Sequence, residues 1–215
     1  MIIAVLNTKG GTGKSVTALN LAISQSLKGL NVLAVDGDRQ GTLMAALANR
    51  GDRSPTIAVA QYTEGQTLRQ QVQRAAVQYD CTVIDAGGRD SAALRASLLL
   101  ADKVIIPFQP RSFDVWALDD MHALLQEARA VKDIDAYALL TLADARGGDN
   151  AAAGGAVPDG ITLLPVSVGR RKAIAEAAGE GLSLLELPPS RDPKAFAEFQ
   201  AMVAAIFDNN QNSTK

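Results

Sequence analysis

Three stretches in the first half of the chain carry the residue types and spacings that could do chemistry together. The first is Asn7-Thr8-Lys9-Gly10-Gly11-Thr12-Gly13-Lys14-Ser15, preceded by the apolar run Ile2-Ile3-Ala4-Val5-Leu6 and followed by a helical pattern. A strand, a glycine-rich turn and a helix in that order make a phosphate-binding loop. Gly10, Gly11 and Gly13 let the backbone come close to a polyphosphate. The N–H groups from Gly10 through Thr12 to Val16, with the helix N-terminus, supply donors and positive dipole. Lys14 would reach the β- and γ-phosphates, and the Ser15 hydroxyl would ligate Mg²⁺. The second stretch, Val32-Leu33-Ala34-Val35-Asp36-Gly37-Asp38, ends an apolar strand in a pair of carboxylates. The third, Thr82-Val83-Ile84-Asp85-Ala86-Gly87-Gly88, is an apolar strand ending in Asp, a Walker B pattern. Its carboxylate would hold Mg²⁺ through water, because hard cations prefer oxygen ligands.

The loop departs from G-x-x-x-x-G-K-[ST] in one respect: Thr8 stands where the first glycine would be, and Lys9 opens the glycine run. K-G-G-x-G-K-[ST], joined to the Asp36-Gly37-Asp38 segment, resembles the ParA/MinD family of deviant Walker A ATPases. The resemblance implies ATP and Mg²⁺ as cofactors. It implies that Asp36, with Ser15 and Asp85, serves the Mg²⁺ shell, and that Asp38 lies in switch I and positions the attacking water. Family members carry D-x-D-P-Q here. This chain has Arg39 in place of the proline, which is expected to add a cation close to the nucleotide. In the family the first lysine, here Lys9, reaches across the interface of an ATP-dependent homodimer. Thr141 and Pro188 match positions near the adenine. Arg170, Arg171 and Lys172 match a segment that touches DNA phosphates, and Arg191 and Lys194 are expected to join that patch. Three adjacent cations at a helix start oppose the helix dipole, so local stability does not account for them.

The elements that must hold these residues alternate. Strands are predicted at 2–7, 31–36, 81–85, 103–107, 135–142 and 161–166, with a weaker one near 57–60. Helices are predicted at 15–28, 42–49, 64–78, 91–100, 114–131, 170–179 and 193–207. Most of the strands are continuous apolar runs, as expected where both faces are covered. The fold class is therefore α/β, a doubly wound, mainly parallel sheet with helices on both faces, as in P-loop NTPases. Ligands of such sheets sit at the carboxyl ends of the strands, where all three stretches end. A single ATPase domain over 1–207 and a flexible polar tail over 208–215 are expected. Residues 145–160, rich in Gly and Ala, read as a surface loop.

Composition sets bounds. The 215 residues are 47% hydrophobic and 20% charged, with only 4% aromatic, so aliphatic side chains must build the core. A net charge of −2 means that any nucleic-acid binding must come from a local patch. The one cysteine, Cys81, reads as a small buried hydrophobe, and His122 as a surface or packing residue. No apolar run approaches the ~20 residues of a membrane span, and no signal-peptide pattern is seen, which points to a cytoplasmic protein, nucleoid-associated when ATP-bound. The last helix places Phe196, Phe199, Val203 and Ile206 at helical spacing, with acidic rather than basic polar residues. That pattern packs on a sheet and disfavours an anionic-lipid anchor or membrane insertion.

The resemblance as a whole implies a ParA-like ATPase. It would dimerise with ATP, bind DNA nonspecifically, position a plasmid, chromosome region or protein assembly, and hydrolyse ATP when a ParB-like or adaptor partner stimulates it. Three readings stay open beside it: a nucleotide-dependent assembly protein with little turnover, a MinD-like membrane switch, and a metabolic P-loop ligase.

Overall fold

Apolar side chains on both faces of each central strand dictate two cores, one above and one below a sheet. In β1 (Ile2–Asn7), Ile3 and Val5 enter one core while Ala4 and Leu6 enter the other. A computed structural model describes residues 1–88, 90–144 and 148–208, with backbone alone at 112–115. After β1 come α1 (Lys14–Leu27), β2 (Val32–Asp36), α2 (Thr42–Arg50), β3 (Ala58–Gln61) and α3 (Gly65–Ala75). Then follow β4 (Cys81–Gly87), α4 (Ala92–Leu100), β5 (Lys103–Phe108), α5 (Ser112–Arg129) and β6 (Asp135–Ala143). The chain closes with α6 (Asp149–Gly155), β7 (Thr162–Gly169), α7 (Lys172–Gly179) and α8 (Pro193–Phe207).

Among the described residues, seven strands form one sheet in the order β3-β2-β4-β1-β5-β6-β7, with every pairing parallel. Helices α3, α4 and α5 cover one face through Leu68, Leu94, Leu98, Leu118 and Met121. Helices α1, α2, α7 and α8 cover the other through Leu19, Leu21, Leu43, Ala177 and Phe199. This is the doubly wound sheet expected. Cys81 is buried in the second core, where burial pushes its thiol up to about 11, so it is inert packing. Helix α8 lies on that face too, with Phe199, Met202, Val203 and Ile206 buried. Buried Lys103 donates to the Ile206 carbonyl at 2.7 Å and so closes the helix end, where carbonyls lack partners. Among the described residues no helix is long and apolar enough to cross a membrane.

Four local expectations need correction. Residues 145–160 are not all loop, because α6 forms within them. Ala151, Ala152 and Ala153 are strong helix formers. Asn150 also anchors the helix, donating to the Asp144 carbonyl at 2.9 Å and accepting from its N–H at 3.2 Å. The helix expected at 170–179 starts only at Lys172, because Arg171 is extended, at φ −141° and ψ 140°. Strands β4 and β7 run on to Gly87 and Gly169, where Asn7 and Ala143 still pair with them. Helix α3 stops at Ala75 and becomes one 3₁₀ turn. Of the expected tail, only Asp208 lies within the described residues.

Candidate functional site

The sheet order places β1 between β4 and β5, and β2 beside β4. The phosphate-type loop therefore emerges next to both acidic strand ends. Its backbone is held from within. The Asn7 side chain accepts from the Lys9 N–H at 2.8 Å and donates to the Pro107 carbonyl at 2.8 Å. Gly13 caps α1 at φ 89°, a left-handed conformation that glycine adopts without strain. Lys14, 8% exposed, donates to the Lys9 carbonyl at 2.8 Å. Burial lowers its pKa, while Asp85 and Asp38 act against that shift. Gly87 is needed where β4 passes the loop: a side chain there would meet the Asn7 carbonyl at 2.5 Å and the Lys14 Cε at 3.0 Å.

The carboxylates converge by register. Asp36 and Asp85 are direct ladder partners on β2 and β4. Asp36 accepts from the Asp38 N–H at 3.0 Å and the Met44 N–H at 2.9 Å, and so holds the turn after β2 and the start of α2. Burial raises its pKa, and those two N–H groups oppose the rise. Asp85 is 1% exposed, and among the described residues neither carboxylate oxygen has a partner in hydrogen-bonding geometry, the Ser15 hydroxyl being only close by. Burial pushes it up to about 7; the nearby Ser15 hydroxyl is the next influence and opposes the shift, ahead of Asp36, Lys14 and Asp38. Asp38 is half-buried; its carboxylate accepts from Gln40 N–H, and its carbonyl accepts from the Gln61 side chain, each at 3.0 Å. Arg39 does not approach the loop. It lies at the surface, 83% exposed, against Glu64 at 3.3 Å. The cation expected near the nucleotide is thus turned away, because an exposed arginine keeps its hydration and takes a surface partner.

A cleft of about 700 Å³ opens above these groups, and Gly10, Gly11, Gly13, Lys14, Ser15, Val16 and Asp38 all line it. Thr12 is buried beneath the loop. Lys9 instead borders a second cleft, also of about 700 Å³, with Trp116, Asp120 and Glu127. An unpaired carboxylate buried beside a lysine and a hydroxyl fits a divalent cation, because an ion would supply the charge that Asp85 lacks. No cluster of three or more His, Cys, Asp or Glu among the described residues is arranged for a metal. Mg²⁺ keeps waters and takes only one or two carboxylates beside phosphate oxygens, so one buried carboxylate and the Ser15 hydroxyl suit it.

Beside the loop, a largely apolar pocket of about 250 Å³ is lined by Gly13, Val16, Thr141, Leu142, Ile174 and Phe199. Thr141 lines this pocket, but its hydroxyl is engaged elsewhere: it lies 2.7 Å from the Thr12 carbonyl and 3.0 Å from that of Phe108. Pro188 lines neither pocket; it is exposed, at the start of a 3₁₀ turn over Pro189–Arg191. Of the basic run, Arg170 is exposed and Lys172 is 88% exposed, reaching Glu176 at 3.1 Å. Arg171 differs. Its side chain is 20% exposed and pairs with Glu198 of α8 at 2.7 Å, while Glu198 also accepts from the Gly169 N–H at 3.0 Å. That pair joins β7 to α8, so Arg171 braces the fold. Arg191 meets Glu176 at 3.1 Å.

Residues 3–211 match the CobQ/CobB/MinD/ParA nucleotide binding domain. The chain belongs to that family. It is 33% identical over 209 residues to the "Maintenance of carboxysome distribution protein A" of Gloeobacter kilaueensis, covering 95% of this chain and 93% of the relative. Among solved structures, its fold matches MinD of Pyrococcus horikoshii, complexed with Mg-ADP, at a TM-score of 0.75, 19% identity and 97% and 96% coverage of the two chains. It matches an ATP complex of Cyanothece McdA carrying a point substitution at a TM-score of 0.75, 17% identity and 95% coverage of each chain. Membership accounts for the paired lysines and the glycine run. Gln109, whose side chain holds this family loop from 98 residues away, carries no local signal in the sequence, and only its long-range partner reveals it.

Proposed function

We propose that this protein is a ParA-like ATPase that positions a cellular cargo by switching between nucleotide states. One observation carries the reading: the buried, unpaired Asp85 carboxylate faces the loop lysine and Ser15 at the carboxyl end of a parallel sheet. In this reading the loop N–H groups and Lys14 hold the β- and γ-phosphates of ATP. Ser15, Asp36 and Asp85 would hold Mg²⁺, which would supply positive charge at the phosphates. Asp38, at the cleft wall, orients the attacking water. Lys9 lines the neighbouring cleft and not the phosphate cleft, which supports a role at the partner's ATP in a dimer. Similarity to a carboxysome distribution protein favours a protein assembly as cargo. DNA binding falls to Arg170 and Lys172, exposed at the start of α7, while Arg171 holds them in place.

Titration with Mg-ATP, phosphate release with and without duplex DNA, and size-exclusion chromatography test the reading. ATP should bind and drive dimerisation, and Asp38→Ala should keep binding yet slow hydrolysis into a persistent dimer. Binding to random duplexes should need ATP and weaken steeply with salt, because each phosphate contact releases counterions. Arg170→Glu with Lys172→Glu should remove it and spare the dimer. No ATP binding would sink the nucleotide reading, and equal DNA binding with ADP and ATP would sink the switch.

A further inference from the structure

A loop that turns its N–H groups toward phosphate turns its carbonyls the other way. Those carbonyls need partners, or the peptide planes are free to rotate and the donors lose their aim. In this protein two consecutive carbonyls at the crest are engaged from the side opposite the carboxylates. Gln109, just past the end of β5, donates from Nε2 to the Gly11 carbonyl at 2.8 Å. Thr141, near the end of β6 and 4% exposed, donates to the Thr12 carbonyl at 2.7 Å. Thr141 also packs beneath Gly13, where an added Cβ would lie 3.7 Å from the threonine Cβ.

The strand is distorted where it delivers this threonine. Leu142 has φ 48° and is the one non-glycine residue of positive φ among those described. A left-handed backbone is strained for leucine, whose Cβ crowds the following carbonyl, so the surrounding fold must impose it. The β6–β7 register shifts between Thr141 and Ala143, at the same place. Leu142 lines both the phosphate cleft and the apolar pocket. Strain of this kind collects where a site is held in shape.

We propose that Thr141 and Gln109 are positioning residues for the phosphate loop, which fix the Thr12 and Gly11 peptides so that the loop N–H groups face bound phosphate. A hydroxyl has one hydrogen, and that of Thr141 is committed to backbone carbonyls, so Thr141 does not donate to a base. The proposal rests on the phosphate-binding reading above and adds residues that lie outside the loop motif.

The test uses three ligands with Mg²⁺: ATP, inorganic tripolyphosphate and AMP. Thr141→Val keeps the shape and removes the donor, and it should weaken ATP and tripolyphosphate about tenfold, as expected when a buried carbonyl loses its partner. AMP binding should not change. Thr141→Ser restores the donor and should bind all three within twofold of the parent. Gln109→Ala should weaken tripolyphosphate about threefold, and because Gln109 lies at the surface this variant serves if Thr141→Val does not fold. In steady state, Thr141→Val should raise KM more than it lowers kcat. Parental tripolyphosphate affinity in Thr141→Val or in Gln109→Ala overturns the proposal. An equal loss for AMP overturns it in favour of a base contact. If Lys14→Ala also binds ATP like the parent, the phosphate-binding reading fails, and that outcome is distinct from either.

Discussion

Two buried charged residues sit near the ends of two elements, β4 and α2, and are treated in opposite ways. Asp85, near the carboxyl end of β4, has two carboxylate oxygens without a hydrogen-bond partner among the described residues. Arg50, the last residue of α2, is 2% exposed, and its guanidinium is filled with partners. It meets both carboxylate oxygens of Glu186, at 2.7 and 2.8 Å, and the carbonyls of Pro55 and Gly181. Glu186 in turn accepts from the Ser183 N–H and completes a capping box. A buried charge that is fully partnered serves the fold. A buried charge left unpartnered is costly, and a fold keeps it where something else supplies the counter-charge. The contrast separates the structural end of α2 from the chemical end of β4 without reference to any motif.

The comparison can be broken most strongly at Arg50. Arg50→Ala strands the Glu186 carboxylate in a buried setting and should destabilise the protein by about 3–5 kcal/mol. Urea unfolding measures this. A loss under about 1 kcal/mol would mean that the pair is not structural, and a loss of ATP affinity in the protein that remains folded would mean that the two ends are not separate.

Asp85 should show the reverse sign. Its carboxyl ionises near pH 3.8 when unfolded and near pH 7 in the fold, so folding takes up a proton between those values. With Mg²⁺ chelated, the stability from this group is full below pH 3.8 and falls as pH rises to about 7, by roughly 2–4 kcal/mol in all. Asp85→Asn should flatten that slope, match the parent near pH 4 and exceed it at pH 8, while losing Mg-ATP. Urea midpoints across that range decide it, and parallel profiles for parent and variant would show that Asp85 is not held as a costly acid.

Lys14→Ala removes the charge aimed at the phosphates, and charge-assisted contacts of this kind contribute ~1.5–3 kcal/mol each. Isothermal titration should show ATP affinity down at least tenfold, and unchanged affinity would remove Lys14 from the site. The smallest effect is expected at Arg39. Its pair with Glu64 is well exposed on both sides, so Arg39→Ala should change stability by under ~0.5 kcal/mol and leave phosphate release at the parental rate. A tenfold slower release would return Arg39 to the nucleotide.

What the sequence determined by itself is whatever rests on neighbours along the chain. The strand, glycine turn and helix around Lys14 are local, since Gly13 adopts its left-handed φ without help from afar. The two-sided apolar runs of β1 and β2 determined a parallel sheet covered on both faces. Asp36 could be read as a strand end from the residues before it, whereas β4 runs two residues past Asp85. Tertiary structure alone decided which of these residues meet. The β2–β4 register sets Asp36 beside Asp85, and the burial that results raises both. Arg171 reads as one of three surface cations in sequence, yet Glu198, 27 residues away, claims it. Thr141 reaches the loop across 129 residues, and Arg50 reaches Glu186 across 136. Helix and strand periodicity encodes contacts within a turn or an alternation. A partner that far along the chain is chosen by packing, which no local spacing records.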